Sequence, residues 1–207
     1  MKVIMINGSP HENGTTFRAL NEVARELKNN GVDSEIITVG NCQVVGCDVC
    51  GACAKLGKCV KDDIVNTLIE KIENADGLIV GSPVYYASLN GSLKALLDRL
   101  FFAKKSFAYK PATAVAVARR AGTTATLDII NKYFMINNMP IVSSQYWNMV
   151  FGSNSAQAEQ DEEGLQTMRV LAKNMAWLIK SIKCAKENGI SLPEEEKHIR
   201  TNFYKEL

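Results

Sequence analysis

The chain switches repeatedly between short apolar runs and longer stretches with helical spacing. Val3-Ile4-Met5-Ile6 is a continuous apolar run closed by Asn7-Gly8-Ser9-Pro10, which suits a strand buried on both faces. From Thr16 to Asn29 the spacing turns helical, with Phe17, Leu20, Val23, Ala24 and Leu27 on one face and Asn29-Asn30-Gly31 as a stop. Ser34 to Val39 alternates, carries β-branched residues and reads as a second strand. Asp62-Asp63 can cap a helix from Ile64 to Glu73 that turns Ile64, Leu68, Ile69 and Ile72 inward. Gly77 to Gly81 is a third buried strand, and a turn-rich loop from Ser82 to Gly91 leads into a helix from Ser92 to Phe102. Pro111 precedes a fourth strand, Ala112 to Ala118, and a polar turn from Arg119 to Thr124 opens a helix to Asn137. A fifth strand is predicted to begin at Pro140 to Ser143, Ala156 to Gly164 reads as a surface loop, and a long amphipathic helix covers Glu163 to Ala185. Strands alternating with helices predict an α/β fold: a doubly wound five-stranded parallel sheet with helices on both faces.

Length and composition narrow the class without naming a function. With 207 residues the chain reads as one domain over 1–187, carrying a cysteine-rich insertion at about 42–60 and followed by a charged tail over 188–207. Hydrophobic residues make up 46% and charged residues 22%, as in ordinary globular proteins. A net charge of +2 gives no nucleic-acid face, and the pairs Lys104-Lys105 and Arg119-Arg120 are too short to make one. No apolar run approaches the ~20 residues a membrane span needs, and the N-terminus lacks a signal-peptide pattern, so the expected location is cytoplasmic. In that reducing compartment the six cysteines are not expected to form a disulfide framework.

Three loops carry the candidate chemistry. After the first strand comes Gly8-Ser9-Pro10-His11-Glu12-Asn13-Gly14-Thr15-Thr16, which matches neither a P-loop nor a dinucleotide fingerprint. Its small residues let the backbone approach a ligand, its hydroxyls can donate, and the next helix offers free N–H groups and a positive dipole end. It has no lysine, which favours a phosphomonoester over a triphosphate with magnesium. A Ser/Thr-capped turn without ligand would use similar residues. The candidates here are Ser9, Pro10, Asn13, Gly14, Thr15 and Thr16. After the third strand, Ser82, Pro83, Val84, Tyr85, Tyr86 and Ser88 offer amides, rings and hydroxyls suited to a planar ring, although the tyrosines also suit packing or an oligomer contact. After the fourth strand, Arg119, Arg120 and Gly122 can face the edge of such a ring, or the arginines can form surface ion pairs.

Taken together, Gly8-Ser9-Pro10 with Asn13-Gly14-Thr15-Thr16, Gly81-Ser82-Pro83-Val84-Tyr85, and Leu93-Lys94-Ala95-Leu96-Leu97-Asp98-Arg99 resemble the NAD(P)H-dependent FMN reductase family, and more narrowly its iron–sulfur flavoproteins. The resemblance extends from about Met1 to Trp177. It implies a flavodoxin-like fold, with the FMN phosphate on Ser9, Asn13, Thr15 and Thr16 and the isoalloxazine at Pro83, Val84, Tyr85 and Tyr86. Many relatives are glycine-rich where this chain has Arg119-Arg120-Ala121-Gly122.

Cys47, Cys50, Cys53 and Cys59 follow C-x2-C-x2-C-x5-C, with Gly46, Gly51 and Gly57 supplying backbone freedom. Three readings are open: a 4Fe–4S cluster, which the resemblance favours; bare thiols or a labile disulfide; and zinc, whose structural sites usually use two separated pairs. Cys184 reads as a small core or interface residue and Cys42 as a spare thiol. His11 reads as an exposed loop residue, and His11 and His198 alone exclude a histidine-rich metal site. No catalytic side chain is assigned, since a flavin would carry the chemistry. The expected function is an FMN-dependent oxidoreductase passing electrons between a carrier such as ferredoxin and an acceptor through FMN and a cysteine-ligated cluster. The alternatives are a cluster-free NAD(P)H-dependent FMN or quinone reductase, and a non-catalytic flavodoxin-like carrier or redox sensor. The resemblance implies a homodimer or homotetramer; Tyr85, Tyr86 and the Met168, Leu171, Met175 and Leu178 helix face are the candidate contacts, although that face equally suits the core.

Overall fold

Residues 3–6 form the middle of β1 (Lys2–Asn7), an inner strand, flanked by β2 and β3, of a computed structural model that describes residues 1–104, 106–194, 196, 197, 199 and 201. Lys105, His198 and residues 202–207 of the expected tail therefore lie outside the described residues. The remaining strands are β2 (Asp33–Thr38), β3 (Gly77–Pro83), β4 (Ala112–Ala118) and β5 (Met149–Phe151). They pair in the order β2-β1-β3-β4-β5, all parallel. This is the flavodoxin-like doubly wound arrangement, in which the strand order reverses beside β1 and a crevice opens above the carboxyl ends of the strands.

The pleat divides the core. Ile4, Ile6, Leu78, Val80, Ala114 and Ala116 point to one face, covered by α3 (Ile64–Glu73), α4 (Gly91–Ala103) and α5 (Thr123–Ile136). Val3, Met5, Ile79, Val115 and Val117 point to the other, covered by α1 (Thr15–Asn29) and α7 (Glu162–Glu187). Period-two alternation of β-branched and small apolar residues thus fills both layers from the same strands. Met168, Leu171 and Met175 of α7 are fully buried in the second layer, with Leu178 partly buried against it, so this helix face belongs to the core.

Two short helices complete the chain, α2 (Cys53–Leu56) within the cysteine-rich segment and α6 (Ser155–Ala158) before α7. The α6 helix replaces the first part of the expected surface loop, because Ala158 is fully buried. The fifth strand also differs from expectation. Ile141 makes only an isolated bridge to Ala112, and the strand forms eight residues later, at Met149. The buried Thr113 explains the detour. Its hydroxyl donates to Val142 O at 2.8 Å and accepts from Asn148 Nδ2 at 2.8 Å, so the intervening residues loop outward and leave Tyr146 and Trp147 exposed. Among the described residues, no helix is long and apolar enough to cross a membrane.

Candidate functional site

The loops following β1, β3, β4 and β5 meet at the carboxyl end of the sheet around a cleft of about 840 Å3, within the range of small-molecule sites. Its floor is the segment from Ser9 to Thr16. Asn7, fully buried, shapes this loop: its Oδ1 accepts from Ser9 N at 3.1 Å while its Nδ2 donates to Thr38 Oγ1 at 3.1 Å. Ser9 Oγ in turn accepts from His11 N at 3.1 Å. The loop then delivers Gly14 as the residue before α1, where no side chain caps the first turn. By contrast α3, α4 and α7 begin with capping bonds from Asp63, Asn90 and Asp161. The first-turn N–H groups of α1 carry no side-chain cap, as at α5, and with the helix dipole they have the chemistry to attract an anion from the cleft.

Pro83, Val84 and Tyr85 line the wall opposite. Beyond them the backbone folds into a tight turn: Tyr85 and Ser88 exchange backbone bonds of 2.9 and 3.0 Å, and Tyr86 and Ala87 between them sit at φ 49° and 55°. Left-handed backbone at two non-glycine positions is strained, and such strain gathers at functional sites. The turn rests on Gly122, where an added Cβ would lie 2.8 Å from both Ala87 Cα and Val84 Cγ1.

Of the residues singled out in the sequence, Ser9, Pro10, Asn13, Gly14, Thr15, Thr16, Pro83, Val84, Tyr85 and Arg119 line this one cleft. Ser82, Tyr86, Ser88, Arg120 and Gly122 lie outside the lining. Ser82 is fully buried, donates to Pro83 O at 2.8 Å and accepts from Asn90 N at 3.2 Å, so it anchors the loop from behind. Gly122 acts as the seat just described, and the Tyr86 side chain is fully exposed. Sequence reasoning missed the fourth contributor, Gly152 to Ser155, which closes the far end of the cleft. The available signal was an apolar run, Met149 to Phe151, followed by Gly-Ser-Asn-Ser, a repeat of the strand and small-polar-loop pattern at Gly8-Ser9 and Gly81-Ser82.

A second, separate cavity is lined by all four cysteines of the run, Cys47, Cys50, Cys53 and Cys59, together with Asp48, Arg99 and Phe102. Cys47 and Cys50 are exposed, Cys53 and Cys59 half-buried. Arg99 reaches this cavity from α4, forms a two-pronged bond with Asp63 and donates to Cys59 Sγ at 3.1 Å. Burial works against its charge, but Asp63 and Cys59 outweigh that and raise its pKa. Lys61 beside Asp48 holds that exposed carboxyl below its usual range. Among the described residues, no three Cys, His, Asp or Glu side chains converge on a single metal ion. A four-iron cubane has a different requirement: each thiolate binds a different iron, so the sulfurs must surround a space. The donor set, all thiols beside a buried cation, has the chemistry to hold such a cluster.

A five-stranded parallel sheet with a phosphate-type loop after β1 and a ring-sized cleft at the strand ends defines a flavodoxin-like nucleotide-binding protein. A solved structure described as a flavodoxin from the domain Archaea superposes with a TM-score of 0.59 at 15% identity, covering 87% of this chain and 99% of its own, which supports the fold. Residues 1–154 match the family described as NADPH-dependent FMN reductase. An iron-sulfur flavoprotein of Methanocaldococcus jannaschii is 32% identical over 192 residues, covering 88% of this chain and 100% of the relative. One of Methanosarcina thermophila is 32% identical over 189 residues, covering 88% and 97%. The chain belongs to the NADPH-dependent FMN reductase family, alongside its iron–sulfur flavoproteins, and is a flavin-dependent oxidoreductase that uses FMN.

Proposed function

We propose that this oxidoreductase pairs FMN in the strand-end cleft with a 4Fe–4S cluster on Cys47, Cys50, Cys53 and Cys59, and exchanges electrons with a carrier protein such as ferredoxin. The observation that carries the reading is that all four cysteines of the run line one cavity, with the buried Arg99 as counter-charge. In this reading Ser9, Asn13, Thr15, Thr16 and the first-turn N–H groups of α1 bind the FMN phosphate. Pro83, Val84 and Tyr85 hold one edge of the ring, and Arg119 with the Gly152–Ser155 loop closes the cleft. Bound FMN supplies the exchange between one- and two-electron chemistry; the protein binds, orients and shields it. The iron–sulfur flavoproteins that match over nearly the whole chain support the same assignment. The protein is proposed to work in the cytoplasm as a homodimer or homotetramer.

The test is purification without oxygen followed by iron and acid-labile sulfide analysis and a visible spectrum. About four irons per chain with flavin bands and broad thiolate-to-iron absorption establish the reading. Flavin without iron or sulfide overturns it. That result favours the cluster-free reductase, a reading also supported by the exposure of Cys47 and Cys50 and by the match to the reductase family. Direct hydride donation would then come from NAD(P)H, and turnover with NAD(P)H and an acceptor separates this enzyme from a carrier reduced only by a protein.

A further inference from the structure

Arg99 is the largest fully buried side chain among the described residues, 1% exposed, and it lines the cysteine cavity. Its bonds are unevenly distributed. Both terminal nitrogens hold Asp63, one of them also reaching Cys59 Sγ at 3.1 Å and the other Val45 O at 3.4 Å. Its Nε is buried with no partner. An orphaned N–H on a buried charge is expensive and rare. Asp63 compensates only part of the charge, because its Oδ1 also accepts from Val65 N as the cap of α3 and its side chain is 22% exposed. Beyond its role as a partner of Asp63, the guanidinium bonds one thiol of the run and lines the same cavity as the other three. We propose that Arg99 is a positioning residue for the four-cysteine centre: its buried charge and its bond to Cys59 make that centre easier to reduce and help retain it.

This inference rests on the cluster reading above. A thiolate-ligated cluster is a net anion that gains a further negative charge on reduction, and its potential responds to net charge, hydrogen bonds to sulfur and burial. A fixed cation at hydrogen-bond distance from one ligand sulfur favours the reduced form on both counts. Asp63 opposes it, since its carboxylate offsets part of the same charge. The two residues are therefore expected to move the potential in opposite directions, which a purely structural pair would not do.

The experiment prepares Arg99→Gln, Arg99→Lys and Asp63→Asn without oxygen beside the parent protein. Circular dichroism and FMN content check the fold, iron and sulfide are counted, and the potential is taken from a titration followed by electron paramagnetic resonance. Arg99→Gln is expected to shift the reduction equilibrium at least tenfold toward the oxidised form, about 59 mV for a one-electron couple, and to lower iron content. Arg99→Lys, which keeps the charge, is expected to retain most of the parent potential. Asp63→Asn keeps a capping oxygen while removing the charge, and is expected to raise the potential. An unmoved potential in Arg99→Gln, or shifts of the same sign in Arg99→Gln and Asp63→Asn, overturns the assignment. Where Arg99→Gln does not fold, the rise in Asp63→Asn decides: present, it supports the assignment; absent, it overturns it. A parent protein without iron or sulfide overturns the cluster reading and this inference together, whereas a loaded parent with unmoved variants overturns this inference alone.

Discussion

An ideal Cβ on Gly40 would lie 2.1 Å from the Ser9 carbonyl carbon and 2.3 Å from Pro10 N. The chain leaving β2 toward the cysteines thus passes directly against the phosphate loop, and only a residue without a side chain fits. Gly40→Ala is expected to push Ser9 and Pro10 out of place and weaken FMN binding at least tenfold, about 1.4 kcal/mol, as read by flavin fluorescence titration. Gly31→Ala is the control: it too sits where a side chain is disfavoured, at φ 72°, but with nothing within 4 Å. It is expected to cost about 1 kcal/mol of stability and leave FMN affinity unchanged. Equal affinities in the two variants would remove the phosphate loop from the site. At this scale the sequence is readable where chemistry and backbone coincide. Ser9, Thr15 and Thr16 are small, polar and at a strand-to-helix junction, and all three line the cleft. Ser82 looks the same in sequence, yet its hydroxyl turns inward to Asn90. Residue type does not record which way a loop hydroxyl points, because that depends on the partners that tertiary packing delivers.

Among the elements, the loop after β3 is held by geometry that costs energy. Its left-handed Tyr86 and Ala87 persist because Gly122, at φ 89°, lets the turn sit against the start of α5. Gly122→Ala combines a strained backbone with contacts at 2.8 Å to Ala87 Cα and Val84 Cγ1. A loss of about 1–3 kcal/mol in stability is expected, together with weaker and spectrally altered FMN binding, measured by denaturant unfolding and the visible spectrum of the bound flavin. A destabilised variant whose bound-flavin spectrum matches the parent would show that this loop does not touch the ring. The five longer helices and the first four strands were legible because their apolar periods are long and their caps are local, as with Asp63 before α3, whereas the four-residue α2 and α6 have no such period to read. The fifth strand was not, because Pro140 to Val142 and Met149 to Phe151 are equally apolar short runs. The choice between them is made by Thr113 on a neighbouring strand, far away in sequence. The cleft residues Gly152 to Ser155 were lost with that choice, since a loop is recognised as a site only after the strand that precedes it is placed.

At the scale of the whole molecule, the layer that carries the phosphate-loop helix is tied together through one buried carboxylate. Glu22 on α1 is 5% exposed and bonds Arg18 at 3.0 Å and Arg169 of α7 at 2.7 Å, while Arg18 also bonds Glu159 just beyond α6. The β5 loop that closes the cleft is therefore linked to the helix that begins its floor. Burial alone would raise the Glu22 pKa, but the bonds from Arg169 and Arg18 outweigh it and hold it below the ordinary glutamate value of 4.5. A carboxylate whose pKa is depressed on folding contributes stability above its unfolded pKa, and loses it as pH falls through the folded value. Glu22→Gln is accordingly expected to cost about 1–3 kcal/mol at neutral pH, since it removes the buried charge that the half-buried Arg18 and the more exposed Arg169 bond. The gap between parent and variant should close as the pH drops below 4.5, where the parent loses the same contribution. Thermal melts across that range provide the measurement, and a constant gap would mean that Glu22 acts through packing alone. Ligand linkage adds a second readout of the same coupling. FMN at a hundred times its dissociation constant should stabilise the folded protein by about 2.7 kcal/mol, and riboflavin at the same concentration by clearly less, because it lacks the phosphate proposed to bind at the α1 terminus. If the network aligns floor and closing loop, the FMN-minus-riboflavin difference shrinks in Glu22→Gln at neutral pH. A variant that melts earlier yet keeps the full difference would confine Glu22 to holding the helices together and leave the cleft to its own loops.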